Sequence, residues 1–169
     1  GSDQPVSSGF EKSLQERSAR DYADFLLPHL GDGSLVLDVG CGQGTITLGL
    51  AGTAGHVVGV DLSEEEFAHA RHYAAEHGIG NVEFRVSSVD ALDFPADHFD
   101  GCLCHSVLET LDRPLDALIE IKRTLQPGGV IGVACVEYGG LVLAGPEEEL
   151  LSRFYAIREQ VWQVEKGAD

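Results

Sequence analysis

Three glycines and three aspartates carry the chemistry that can be read in this chain. Gly40, Gly42 and Gly44 alternate with Cys41 and Gln43 in the run VLDVGCGQGT (36–45). A glycine-rich turn lets the backbone bend sharply and come close to a ligand, and a helix that opens just after it aims free N–H groups into the same crevice. Asp61 ends the apolar run HVVGVD, 21 residues after Gly40. A carboxylate at the end of a second parallel strand can accept hydrogen bonds from both hydroxyls of a ribose; the alternative is a cap or turn residue. Asp90, in VSSVDALDF, can accept from an adenine amino group or serve as an ordinary loop residue. The dinucleotide fingerprint G-x-G-x-x-G is not met, because its sixth position is Thr45 and Asp38 stands just before the turn.

These residues need a scaffold that brings strand ends together. Apolar runs at 34–39, 56–61, 82–86, 99–104 and 130–136 alternate with helical stretches near 43–51, 63–77 and 112–125. Ser63 with Glu66 forms a capping box, Asp112 caps the next helix, and Pro127-Gly128-Gly129 reads as a sharp turn. The strand runs are continuously apolar rather than alternating, which is how strands read when helices cover both sheet faces. The expected fold is therefore α/β, a doubly wound, mostly parallel sheet with right-handed crossovers. Before it, a helix is expected at about 8–30, with Ser8 and Glu11 as a capping box and Phe10, Leu14, Tyr22, Phe25 and Leu26 as its apolar positions. Pro28 and Gly31-Asp32-Gly33 end it. After the core at about 34–136, Pro146 opens a helix at about 146–164 with Leu150, Phe154, Ile157 and Val161 as an apolar stripe and Trp162 beside it. An acceptor-pocket role for Phe154 and Trp162 competes with ordinary packing.

The 169 residues fit a single domain, 1–169. A net charge of −17 repels phosphate backbones, so nucleic acid is not an expected partner. The four cysteines, Cys41, Cys102, Cys104 and Cys135, read as free thiols of a reducing compartment. Their spacing fits no zinc site, and no metal is expected. His69, His72 and His77, interspersed with Arg71 and Glu76, read as a solvated helix face. No apolar run is long enough to cross a bilayer, so a membrane partner is not expected and a cytoplasmic location is. Gly1-Ser2 reads as the scar of a cleaved tag.

Taken together, the motifs resemble class I S-adenosylmethionine-dependent methyltransferases, in particular the small-molecule group of ubiquinone and menaquinone biosynthesis. VLDVGCGQGT is similar to the first motif of that family, VVGVDLSEE to its second and VSSVDALDFPADHFD to its adenine-binding region. HSVLETLDRPLDALIEIKRTLQPGG is similar to the stretch from strand four to strand five. The resemblance implies a Rossmann-like fold and a methyltransferase that takes S-adenosyl-L-methionine, releases S-adenosyl-L-homocysteine and acts on a small organic acceptor. It implies that Asp38 and the turn Gly40, Cys41, Gly42 and Gly44 hold the methionine end. Asp61 would hold the ribose, Leu62 the adenine face, and Asp90 with Ala91 the adenine edge. His105 would lie beside the reactive end. Methyl transfer from a sulfonium needs alignment more than side-chain chemistry, and a base only where the acceptor must lose a proton. His105 and Glu109 are the candidates for it, against positioning and helix-face roles.

The family fold ends in an antiparallel strand hairpin, and no run after Val136 reads as one. The fold is therefore expected to lack that hairpin, leaving strand five as an apolar edge that a second copy can cover, in a homodimer made through that edge or the last helix. Two other functions compete: a non-catalytic S-adenosylmethionine-binding module and an NAD-dependent oxidoreductase.

Overall fold

The computed structural model describes residues 8–135. Its elements in chain order are α1 (Ser8–Glu16), α2 (Ala19–Tyr22), β1 (Leu35–Val39), α3 (Thr45–Leu50), β2 (His56–Asp61), α4 (Ala68–Glu76), β3 (Val82–Val86), β4 (Phe99–His105), α5 (Pro114–Thr124) and β5 (Leu125–Ala134). Short 3₁₀ turns lie at Leu27–His29 and Leu108–Thr110. The five strands form one parallel sheet in the order β3-β2-β1-β4-β5. The chain thus winds outward from β1 to β3, then returns to the other side of β1 for β4 and β5. The crevice beyond the carboxyl ends of β1 and β4 is where such a reversal leaves room for a ligand.

Strand periodicity sorts side chains between two helical layers. Val36 of β1, Val57 of β2 and Leu103 of β4 pack with Ala19, Ile46 and Leu50 of α2 and α3. Their neighbours Leu37, Val58, Val60, Cys102 and Cys104 pack with Ala117 and Ile121 of α5. Burial on both faces is why β1, β2 and β4 are unbroken apolar runs, whereas the edge strands β3 and β5 keep exposed positions. A third cluster joins α1, α3, α4 and β3 through Phe10, Leu48, Ala70 and a stack of Phe67 on Phe84 at 5.5 Å. Truncating either fully or nearly buried ring costs about 3–5 kcal/mol.

Four expectations require correction. The helix of 8–30 is three pieces: it breaks after Glu16, Ser18 accepts from the Asp21 N–H to cap α2, and Leu27–His29 is 3₁₀ around Pro28. Tertiary packing of Ala19, Ala23 and Leu26 onto β1 and β4 bends the segment around the sheet instead of letting it run straight. The helix after β2 begins at Ala68, with Phe67 at its cap. Ser63 Oγ accepts instead from the Glu65 N–H at 3.3 Å, a local turn that delays the helix. The helix before β5 starts at Pro114 after Arg113, so Asp112 is not its cap. Finally, Pro127-Gly128-Gly129 lies within β5 as a bulge: Phe99 pairs with Leu125, but Gly101 pairs with Val130.

The helix expected at about 146–164, with Phe154 and Trp162, and the strand hairpin expected to be lacking after Val136 fall outside the described residues.

Candidate functional site

The glycine turn leaves β1 at a point where other segments of the chain crowd it. Gly40 and Cys41 both donate N–H bonds to the Val60 carbonyl, at 2.8 and 3.0 Å. A Cβ on Gly40 would overlap Val107 Cγ2. One on Gly44, whose φ is +74°, would meet Phe84 at 2.5 Å and Ala70 at 2.8 Å. These glycines therefore let β1 and α3 close against the β4 loop, α4 and β3. Gly42 differs, since a Cβ there would meet nothing within 4 Å and would enter open space. α3 has only six residues, so the turn itself, rather than a long helix dipole, forms this wall.

Two aspartates brace the turn. Asp61 Oδ2 accepts from the Gly42 N–H at 2.8 Å, and its Oδ1 accepts from the Leu62 N–H at 2.7 Å. An ionised carboxylate has about four acceptor positions, so each oxygen keeps capacity for a ligand hydroxyl. Asp38 is buried and accepts from Thr47 Oγ1 at 2.6 Å. Burial pushes its carboxyl up to about 7 and the charge of Asp61 adds to this, while the Thr47 hydroxyl and Arg17 pull the other way.

The crevice has two lobes that share Gly40 and Ser106. One, of about 280 Å³, is lined by Asp61, Leu62, Ser87, Ser88, Asp90 and Val107, among others. Leu62 is 74% exposed, a large apolar side chain left uncovered beside a carboxylate. Asp90 also lines this lobe, and its N–H donates to Ser88 Oγ at 3.3 Å. The loop beyond it is pinned by α5: Arg123 donates to the carbonyls of Leu92 and Phe94, and Glu120 accepts from the Leu92 N–H. The other lobe, of about 230 Å³, is lined by Arg17, Asp38, Cys41, Gly42, Gln43 and His105, among others. It offers a cation and a carboxylate. Burial, with Arg17 nearby, holds the His105 imidazole below its ordinary range, and Tyr22 meets its ring edge-on at 5.3 Å.

The structure thus brings Asp61, Leu62 and Asp90 to one lobe and Asp38, Gly40, Cys41, Gly42 and His105 to the other, with Gly40 common to both. Gly44, Ala91 and Glu109 line neither lobe. Gly44 is a packing position, Ala91 donates its N–H to the Ser88 carbonyl, and Glu109 lies beside the Cys135 thiol, which burial and that carboxylate push up. The thiol of Cys41 is pushed up by burial and by both aspartates, so it contributes bulk rather than a thiolate. Sequence reasoning missed Arg17, Ser87, Ser88, Ser106 and Thr47. Thr47 carries a signal, a hydroxyl one turn into the helix after an acidic strand end. Arg17 carries none, because only the break between α1 and α2 puts it at the crevice. Among the described residues, no three His, Cys, Asp or Glu side chains gather as a metal site, and no helix is long and apolar enough to cross a membrane.

Comparison with known proteins gives a consistent result. A family model described as a methyltransferase domain matches residues 37–133. A protein of Aspergillus luteorubrus named "Probable methyltransferase ltbC" is 36% identical over 139 residues, covering 76% of this chain and 49% of that protein. A ubiquinone/menaquinone biosynthesis C-methyltransferase of a Marinomonas species is 35% identical, covering 73% of this chain and 48% of its own length. The chain therefore spans about half the length of these relatives. Among solved structures, a SAM-dependent methyltransferase from Aquifex aeolicus superposes with a TM-score of 0.66 at 25% identity, covering 84% of this chain and 78% of that one.

Proposed function

The chain belongs to the methyltransferase-domain family, and from that premise we propose that it transfers a methyl group to a small organic acceptor. Its fold is the Rossmann-like fold of such enzymes, and its cofactor is S-adenosylmethionine. The observation that carries the proposal is the pairing of the two lobes across Gly40 and Ser106. One is suited to a nucleoside, with a free apolar face at Leu62 and carboxylates at Asp61 and Asp90. The other sets Arg17 and Asp38 to receive the opposite charges of an amino-acid end.

In this reading Asp61 accepts from the ribose hydroxyls with the capacity its two backbone bonds leave over. Leu62 covers one face of the adenine, and Asp90 accepts from its amino group. Arg17 pairs with the carboxylate of the methionine end, and Asp38, held by Thr47, faces its ammonium. Gly42 allows close passage between the lobes because no side chain stands there. The cofactor supplies an activated methyl on a sulfonium. The protein aligns the acceptor behind that methyl and excludes water. The acidic balance of the chain favours a small molecule over nucleic acid, and the relatives named for quinone biosynthesis support the same class.

Calorimetry with S-adenosylmethionine, S-adenosylhomocysteine and NAD tests this reading. Both sulfur compounds should bind and NAD should not. Binding of NAD with no heat from either sulfur compound refutes it.

A further inference from the structure

Ser106 stands where a glycine would be easier. Its φ is +57°, and among the described residues Asp97 is the other non-glycine with positive φ. A side chain in this conformation crowds its own backbone, so a serine held there is strained where glycine would be relaxed. The position is also fixed from behind: the Ser106 N–H donates to the Ala134 carbonyl at 2.7 Å, locking the end of β4 to β5. Turned this way, Ser106 reaches both lobes of the crevice, and its Oγ lies 3.2 Å from Nδ1 of His105.

We infer that Ser106 is a positioning residue that holds the proton of His105 on Nδ1, leaving Nε2 as the base that takes a proton from the methyl acceptor. The inference rests on the methyltransferase reading above. Tyr22 packs edge-on against the imidazole, and Arg17 lies over the Tyr22 ring at 5.7 Å, so the ring is held from the α2 side as well. The charged groups around it are Arg17, which disfavours an imidazolium, and Glu109, which favours one; Asp38 lines the same lobe. Burial is the larger influence, and it favours the neutral ring. The ring nitrogen that faces Ser106 Oγ is Nδ1; with the proton there the hydroxyl accepts it and Nε2 keeps its lone pair.

The step balances. The acceptor's X–H bond breaks, the proton goes to Nε2 and the electron pair stays on X. X forms its bond to the methyl carbon as the carbon–sulfur bond breaks toward the sulfonium sulfur. The imidazolium that results loses its proton to solvent once the products leave.

Nitrogen-15 NMR of the imidazole in the full chain at neutral pH tests this without a known acceptor. The wild-type ring should be the Nδ1–H tautomer. Ser106→Gly and Ser106→Ala both remove the hydroxyl, but glycine relaxes the backbone and alanine does not. Equal shifts toward Nε2–H in the two variants, about five- to tenfold in tautomer ratio, are expected for loss of one hydrogen bond. Ser106→Gly should also melt no lower than wild type. A wild-type ring that is Nε2–H or charged, or variants that keep the wild-type ratio, overturns the inference. Calorimetry on the wild-type protein separates the two claims. Cofactor binding with an unmoved tautomer sinks only the role of Ser106, and absence of cofactor binding sinks both.

Discussion

The carboxylate of Asp61 ties two strand ends together: from the end of β2 it accepts the N–H of Gly42, in the middle of the turn that leaves β1, at 2.8 Å. The residue proposed to hold the ribose therefore also braces the glycine turn. Its other oxygen holds the Leu62 N–H, so both oxygens are engaged before any ligand arrives.

Asp61→Asn should therefore damage the protein as well as its affinity. A carboxamide has one carbonyl oxygen, so either Gly42 or Leu62 loses its acceptor. That costs about 1–3 kcal/mol and several degrees of melting temperature. Cofactor affinity should fall more than tenfold, as expected from losing charged hydrogen bonds of about 1.5–3 kcal/mol. Differential scanning calorimetry and titration read the two effects separately. An unchanged affinity would reject the ribose role.

Gly40→Ala should be strongly destabilising, by about 2 kcal/mol or more, because it adds backbone strain and drives a methyl into Val107. Adding Val107→Ala should restore part of the loss, since it removes the clashing Cγ2 but leaves the strain. Gly42→Ala should cost about 1–2 kcal/mol from its left-handed backbone alone, yet abolish tight cofactor binding by filling the crevice. Urea denaturation of the three variants checks the ranking.

Asp38 should make stability depend on pH. Its folded carboxyl titrates near 7, raised chiefly by burial from 3.8. Between these values the folded protein holds a proton that the unfolded chain has shed. The contribution is complete below the lower value and is lost as pH rises through about 7. Melting temperatures of wild type minus Asp38→Asn should fall across that window. An ammonium ligand favours the ionised form, so cofactor affinity should rise over the same range and flatten above it, and in the Asn variant it should vary much less.

Leu62→Ala separates binding from folding. The side chain is 74% exposed, so its loss should change stability by no more than about 0.5 kcal/mol. Covering an apolar face is worth about 1–2 kcal/mol, so affinity for S-adenosylmethionine should drop roughly five- to thirtyfold. Equal affinity in the two proteins would remove Leu62 from the adenine wall.

The sheet was readable because β1, β2 and β4 bury both faces, which writes an unbroken apolar run into the chain. β2 and β3 begin and end at the predicted residues, His56–Asp61 and Val82–Val86. What failed was local: Ser63 and Asp112 have the chemistry of caps, but a turn to Glu65 and the start at Pro114 claimed those positions. In the crevice, strand-end residues such as Asp38 and Asp61 were visible because the fold rule fixes where they stand. Arg17 and Ser106 were not, because one depends on a bend between two short helices and the other on a single backbone torsion. Neither leaves a pattern in residue type.

The strand order also sets the sequence in which the crevice can be made. β1 finds β2 after a short connection, and β2 finds β3, so the glycine turn, Asp38, Thr47 and Asp61 can come together from neighbouring stretches of chain. β4 must return across the whole of that unit to lie beside β1, Val36 pairing with Gly101. Such distant pairings form late, since their loop entropy is paid before they are rewarded. Asp61 and the glycine turn thus belong to the unit of β1 to β3, whereas His105, Ser106 and Val107 join the crevice with β4. The group proposed for the ribose and the groups proposed for the reacting methyl are therefore supplied by different stretches of the chain, joined only by the long-range pairing of β1 with β4.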